Sequence, residues 1–376
     1  MAADDSFKVD PYSVEGTIDY KALAGRFGIK LIDEKLKERI RKDAGGLHFM
    51  IRRDIYFANR DMDWLLDQYE KGNRFYLYSG IAPSGTMTIG HLMPFMMMQW
   101  LQEKFGVEVM IQIPDEEKFL AKRDLKLSME ELHKLAYDDA LNIGALGFDP
   151  KKTKIFLNTE YAGTLYKHAV RVAKHITFSI VKDAFGFGND TNIGTLFYTS
   201  MQAVPAFLKS VEQRKNVPCL IPLGVDQDVH FRVARNAIEK LGYYKPAIMH
   251  SKFLPSLKGG AKMSSSDPDN TIYINDDHAA VVKKVNRAIT GQQSTAELQK
   301  KLGGDPEKCA VCQYYKYIFE PDDKKLDKIL DAERKGTLLA GEHKKHLADT
   351  INKFLDNHRK NKEAIKGRLS EFMVKD

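Results

Sequence analysis

Residues 74–113 constrain this chain more than any other stretch. RFYLYSG at 74–80 is a short apolar and aromatic run closed by a glycine. The loop 81–85 and an apolar stretch from Leu92 to Phe105 follow, then Gly106 and a second, β-branched run, VEVMIQI at 107–113. A strand, a helix stopped by glycine and another strand predict a βαβ crossover with a parallel pair. The alternation continues downstream. A helix over 128–146 opens on a capping box of Ser128 and Glu131, and KTKIFLN at 152–158 reads as the next strand. CLIPLG at 219–224 leads into a helix near 228–241, and PAIMHSKFL at 246–254 precedes a Gly-Gly loop. This predicts an α/β fold built on a Rossmann-like, doubly wound parallel sheet, with ligands beyond the carboxyl ends of its strands.

After about Asn275 helical patterns take over, notably KKLDKILDAERKG at 324–336 and the stretch 342–355, and 363–374 has the pattern of one more amphipathic helix. The expected division is an N-terminal segment over 1–72, a catalytic domain over 73–275 and a helical C-terminal domain over 276–376. Whether the last helix packs back on the catalytic domain is left open. Charge follows the same division. Residues 281–376 hold 21 Lys/Arg against 15 Asp/Glu, most of the whole-chain excess of +7. A basic helical module suits a polyanion such as RNA, and also suits a merely solvated helical surface.

No run approaches the length of a membrane span, and MAADDSFKVD at the start has the pattern of neither a secretory nor a transit peptide. Three cysteines, Cys219, Cys309 and Cys312, are too few for a disulfide framework, so a reducing, cytoplasmic location is expected. Cys309-Ala-Val-Cys312 has the spacing of half a zinc site. The third cysteine is remote, so a tetrahedral site would need His or carboxylate ligands, and no metal is expected.

Two segments carry chemistry. In PSGTMTIGH, Pro83–His91, glycines let the backbone approach a ligand, and the following helix presents unpaired amides and a positive dipole end to an anion. His91 can add a ring N–H, and Pro94 is expected within the first helical turn. The methionines at 93 and 96–98 read as core. In GGAKMSSS, 259–266, a glycine-led loop offers one ammonium and three hydroxyls. Lys262 there can stabilise charge that grows on a leaving pyrophosphate.

TIGH after the first strand and KMSSS after the last resemble the HIGH and KMSKS signatures of class I aminoacyl-tRNA synthetases. FYLYSG at 75–80, IQIPDEEK at 111–118, MQAVPAF at 201–207 and GVDQDVHF at 224–231 are similar to segments of tryptophanyl-tRNA synthetases of the eukaryotic and archaeal type. VDPYSV at 9–14 and HFMIRRDIYFANRDM at 48–62 resemble that subgroup's N-terminal segment, which packs beside the active site.

The resemblance implies ATP-dependent formation of tryptophanyl-adenylate, then transfer to tRNA(Trp). It implies ATP contacts from Ala82, Pro83, Gly90, His91, Lys118, Asp226, Gln227, Lys262, Met263 and Ser264. Lys262 and His91 are the expected catalytic residues. Thr88 stands where the pattern has its first His and is expected to offer a hydroxyl to phosphate. Tyr78 and Gln112 are expected to receive the indole N–H, and Glu117, Gln202 and Gln227 to surround the substrate ammonium. Asp226 reads equally as a helix N-cap. Pro114 stands where relatives often carry Thr. Magnesium accompanying ATP, a homodimer and anticodon reading by the C-terminal helices are implied likewise.

Tyrosine enzymes typically carry Tyr-x-x-x-Gln-x-x-Asp, whose Asp holds the phenol. Here Tyr198 and Gln202 keep the spacing and Pro205 replaces the Asp, which speaks for tryptophan. The 110 or so residues between Leu92 and Met201 read as ordinary α/β elements and leave no room for an inserted editing domain. Rival readings are a tyrosine enzyme, a nucleotidyltransferase-like enzyme acting on a small molecule and a catalytically silent RNA-binding relative.

Overall fold

The computed structural model describes residues 7–9, 14–16, 18–122, 124–260 and 262–376. Most of the VDPYSV segment, residues 10–13, lies outside the described residues, as does Ala261 in the glycine-led loop.

Among the described residues nine strands form two sheets. β1 (Phe7–Val9) and β2 (Val14–Gly16) make a small antiparallel pair. The main sheet holds β3 (Lys30–Leu31), β4 (Tyr56–Arg60), β5 (Tyr76–Gly80), β6 (Val109–Ile113), β7 (Thr153–Leu157), β8 (Cys219–Gly224) and β9 (Ala247–Ser251), in the order β3-β4-β9-β8-β5-β6-β7. The five strands from β9 to β7 are parallel, while β4 pairs antiparallel with β9, and β3 with β4. The expected parallel sheet is therefore present but extended. The N-terminal segment adds two antiparallel strands to its edge, a role that its mixed polar sequence did not announce.

The order in which strands are added reverses between the parallel neighbours β5 and β8, with β6 and β7 laid down on one side and β9 on the other. A doubly wound sheet opens a crevice at this switch point, beyond the strands' carboxyl ends. Both faces are covered, and alternate residues of one strand feed two different cores. Val109, Ile111 and Ile113 join a cluster with the helix Ile89–Phe105, whereas Met110 joins Tyr76, Tyr78 and Phe156 on the opposite face.

The first of these clusters runs without a break from Ile32 and Ile40 through Leu92 to Val281, Leu347 and Phe372. The helical C-terminal residues thus share a core with the sheet. One helix, Ala340–Lys366, spans the expected segment 342–355 and only the first four residues of the expected final helix. Residues 363–374 do not make a separate helix. Past Lys366 the chain takes a short 3-10 turn, Leu369–Glu371, and then runs beside β7. There Ile155 N–H donates to the Phe372 carbonyl at 2.8 Å, and Val374 N–H to the Ile155 carbonyl at 2.9 Å. The long helix's last turns lie on the helix Met129–Gly144, with Asn361 Nδ2 bonded to the Ala145 carbonyl at 3.2 Å. The Ser128–Glu131 capping box opens that helix as expected. Among the described residues no helix is long and apolar enough to cross a membrane.

Candidate active site

A cleft of about 1430 Å³, open water at its mouth included, lies at the switch point. Its walls come from the ends of β5, β6 and β8, the start of the helix Ile89–Phe105 and the glycine-led loop. Of the residues expected there, Tyr78, Ala82, Thr88, Gly90, His91, Gln112, Glu117, Lys118, Gln202, Asp226, Gln227, Lys262 and Met263 line it. Pro83 and Ser264 do not. Pro83 is buried and Ser84 takes the wall position, while the Ser264 hydroxyl faces that of Ser266 at 2.7 Å.

At one end of the cleft the two signature segments touch. Ile89 N–H donates to the Ile272 carbonyl at 3.1 Å, and Ile274 N–H to that of Met87 at 3.0 Å. The stretch after KMSSS is thereby tied to the stretch that begins TIGH. Thr88 is the helix N-cap: its hydroxyl oxygen accepts from His91 N–H at 3.4 Å, and the His91 ring returns Nδ1 to Thr88 N–H at 3.2 Å. Accepting at Nδ1 leaves the imidazole proton on Nε2. Burial, then the nearby Lys262 and Lys118, push the His91 pKa down to about 4, so the ring is a neutral donor near pH 7.

The helix begins at Ile89, earlier than the apolar pattern implies, so Pro94 is its sixth residue and lies past the first turn. Proline has no N–H, and the Gly90 carbonyl four residues back loses its helix donor at the cleft wall. Lys262 Nζ pairs with Asp226 Oδ2 at 2.6 Å and sits 4.9 Å from the Phe253 ring centre. Asp226 caps no helix. Gly259 and Gly260 hold φ of 82° and 92°, a conformation that favours glycine and lets the loop fold back toward the cleft.

The other end is built on strands. The Tyr78 hydroxyl lies 2.5 Å from Gln112 Oε1 and 2.9 Å from the Gln202 carbonyl, so its single proton serves one of them at a time. Gln112 Nε2 donates to Asn158 Oδ1 at 2.8 Å, and Asn158 Nδ2 to Glu116 Oε1 at 2.7 Å. This relay fixes the Gln112 amide with its oxygen toward Tyr78. It requires close strands, and a Cβ on Gly80 would fall 2.5 Å from the Gln112 carbonyl. Gln202 Oε1 and His230 Nδ1 are buried without a hydrogen-bond partner among the described residues. Burial pushes His230 down to about 3, so it is neutral. Pro205 opens the helix Pro205–Glu212, and its carbonyl takes the Tyr76 hydroxyl at 2.6 Å. Glu117 and Asp226 are the carboxylates in the cleft wall among the described residues.

The family described as tRNA synthetases class I (W and Y) matches residues 70–356. A protein of Sulfolobus acidocaldarius named tryptophan–tRNA ligase is 44% identical over 99% of this chain and 96% of its own. The crystal structure of Plasmodium falciparum tryptophanyl-tRNA synthetase superposes with TM-score 0.88 at 36% identity, covering 94% of this chain and 97% of its own. That of Encephalitozoon cuniculi tryptophanyl-tRNA synthetase bound to tryptophan does so with TM-score 0.87 at 34% identity, covering 95% and 98%. The chain belongs to the class I tRNA synthetases of the W and Y family.

As a class I tRNA synthetase it is an enzyme that takes ATP as substrate. The cleft's two ends suit two kinds of ligand. The end at His91 offers a helix N-terminus, a neutral imidazole N–H and two ammonium groups, a set of donors for phosphate oxygens. The end at Tyr78 offers acceptors held on a rigid sheet, suited to a flat polar-edged side chain.

Several residues of this synthetase site were not anticipated. Ser84, His230 and Phe231 line the cleft, and Asn158 and Glu116 stand behind Gln112. His230 and Phe231 lie three and four residues past Gln227 in the run already singled out at 224–231, so helical spacing from Gln227 could have found them. Nothing local marks Asn158, which reaches Gln112 only through the pairing of β6 with β7.

Proposed function

We propose that this class I synthetase is a tryptophan–tRNA ligase. It activates L-tryptophan with ATP to tryptophanyl-adenylate and pyrophosphate, then transfers the tryptophanyl group to tRNA(Trp). The observation that carries the specificity is the Tyr78 hydroxyl 2.5 Å from Gln112 Oε1 at the strand end of the cleft. An indole N–H only donates and needs an acceptor, which this pair supplies. A phenol would need an acceptor for its own proton, and the position that supplies Asp in tyrosine enzymes is Pro205. The names of the Sulfolobus and Encephalitozoon relatives support the same reading.

In the first step the tryptophan carboxylate oxygen attacks the α-phosphorus of ATP. The bond to the β-phosphate oxygen breaks and pyrophosphate leaves with the electron pair. Lys262 and the His91 Nε2–H stabilise charge growing on the phosphates. For Lys262 this means leaving Asp226, so binding of the triphosphate exchanges one anionic partner for another. Ala82 and Gly90 line the nucleotide's path, with Lys118, Gln227 and Met263 beside it. Pro83 and Ser264 stand next in the chain to the lining residues Ala82 and Met263 without lining the cleft themselves. Glu117, Gln202 and Gln227 receive the substrate ammonium, the unpartnered Gln202 oxygen being a ready acceptor. Magnesium arrives with ATP, held by phosphate oxygens and water. In the second step a terminal ribose hydroxyl of the tRNA attacks the acyl carbon and AMP leaves.

The basic helical residues 276–376 are proposed to bind the anticodon stem, and the chain to act in the cytoplasm as a homodimer. Apolar side chains are individually exposed at Tyr166, Val170, Phe178, Ile180 and Ile193, and these are proposed as contacts for the second copy. Amino-acid-dependent ATP–pyrophosphate exchange is the deciding assay. Exchange with tryptophan and none with tyrosine is expected, and the reverse would overturn the assignment.

A further inference from the structure

The helical C-terminal region contains a second, separate cluster of reactive side chains. Cys309 precedes the helix Ala310–Tyr314, Cys312 lies within it, Glu333 ends the helix Asp323–Arg334, and His343 lies in the first turn of Ala340–Lys366. All four are buried, with no more than 1% of their surface exposed. One potential ligand atom from each lies within 4.8 Å of the other three. The fold thus supplies the His and the carboxylate whose apparent lack argued against a metal at the Cys-x-x-Cys pair.

We propose that these four side chains bind one structural zinc ion. The donor set is two soft sulfurs, one imidazole nitrogen and one carboxylate oxygen, a combination that suits Zn²⁺ and not the hard, oxygen-seeking Mg²⁺ or Ca²⁺. A tetrahedral zinc with ordinary bond lengths has ligand-to-ligand edges of roughly 3.3–3.8 Å. His343 Nδ1 and Glu333 Oε2 are already 3.2 Å apart, and small side-chain rotations bring the sulfurs in. Binding requires both sulfurs as thiolates and the imidazole neutral at its ligating nitrogen, and the protons these groups carry beforehand pass to solvent.

The surroundings are those of a built site. Gln292 Nε2 donates to Glu333 Oε2 at 2.7 Å, and the Tyr315 ring stacks on His343 with 7° between planes, so both side chains are oriented from behind. Glu333 Oε1 is buried without a hydrogen-bond partner among the described residues, an unsatisfied carboxylate oxygen in the cluster. The backbone crosses closely here: a Cβ on Gly303 would lie 1.7 Å from the Arg334 carbonyl. An ion at this point would fasten the starts of two helices to the end of a third, joining ligands from three separate stretches of sequence.

The test is the zinc content of the full chain, purified without chelator and measured by plasma mass spectrometry. One zinc per chain is expected, retained in Cys219→Ser and lost in Cys312→Ser and His343→Ala. Because a misfolded ligand variant would also lose metal, two measurements use the unaltered chain. Cobalt(II) reconstitution is expected to give the intense visible absorption of a tetrahedral thiolate site. Chelation is expected to lower the melting temperature, and zinc to restore it. A chain that purifies without zinc, takes up no cobalt with that spectrum and melts at the same temperature with and without chelator overturns the proposal. None of these readouts depends on which amino acid the cleft activates.

Discussion

The two ends of the cleft solve opposite problems. The nucleotide end is assembled from loops and a helix start, keeps its cations in internal pairs such as Lys262 with Asp226, and must open those pairs to work. The amino-acid end is a buried relay of hydroxyl and amides across β5, β6 and β7 that is already in place. Charge that can be re-partnered suits a triphosphate whose charge moves during reaction. Fixed neutral dipoles suit recognition of a side chain that does not react.

The sharpest way to break this comparison is to remove the charge. Lys262→Ala is expected to lower the rate of tryptophan-dependent pyrophosphate exchange by roughly 10²–10³-fold, the range for loss of one transition-state donor. Tryptophan affinity, followed by calorimetry without ATP, should stay within about twofold. A large loss of tryptophan binding would mean that the two ends are not separate.

Tyr78→Phe tests the other end. It leaves the ring packed edge-on against Phe231, with centroids 5.8 Å apart, and deletes the oxygen beside Gln112. Leaving a buried partner unsatisfied costs about 1–3 kcal/mol, so tryptophan KM should rise by roughly 5- to 150-fold with a smaller change in kcat. A kcat effect with unchanged KM would place Tyr78 in the chemical step and blur the division.

These ends were unequally legible in the sequence. The nucleotide end is made of two short contiguous signatures, Gly90 with His91 in one and Lys262 behind its glycines in the other, and glycine, histidine and lysine in such runs mark a phosphate site without a fold. Even there, the capping exchange between Thr88 and His91 and the pairing of Lys262 with Asp226 became visible only in three dimensions. At the amino-acid end Tyr78 and Gln112 were found through their strand positions. Asn158 and Glu116 were not, because they are joined by pairing between strands rather than along one. Periodicity likewise gave the parallel strands β5 to β9. It missed β3 and β4, whose few residues are ordered by their neighbours, β9 above all. Cys309, Cys312, Glu333 and His343 show the same limit, since the outer two stand 34 positions apart in the chain.

The buried relay also predicts a pH effect. Burial pushes Glu116 up from 4.5 to about 7, against the lowering effect of its Asn158 hydrogen bond. A carboxyl whose folded pKa is raised stabilises the fold fully below about pH 4.5 and loses that contribution as pH rises to about 7. Glu116→Gln keeps a hydrogen-bonding partner without the ionisation. In urea denaturation its stability relative to the parent should therefore increase from about pH 4.5 to 7.5. A constant difference across that range would show that Glu116 ionises freely in the folded protein.

The smallest expected effect concerns Thr88, the position that departs from the family signature. A phosphate-binding hydroxyl and a helix cap make different predictions. Thr88 is 2% exposed, its oxygen accepts from His91 N–H, and its own N–H holds His91 Nδ1, which sets the Nε2–H tautomer at the cleft. Loss of an N-cap side chain costs about 1 kcal/mol. Thr88→Ala should lower the melting temperature by a few degrees and reduce exchange by about tenfold or less through a looser His91. Thr88→Ser should restore both. Thr88→Asp separates the two roles. Aspartate is an equally good cap, so the melting temperature should hold, while its negative charge would repel a phosphate bound at that oxygen. If exchange in Thr88→Asp stays within about tenfold of the parent, the residue serves as a cap that positions His91. A collapse to the level of Lys262→Ala, in a variant that melts normally, would instead put a phosphate oxygen against this side chain and extend the nucleotide end by one residue.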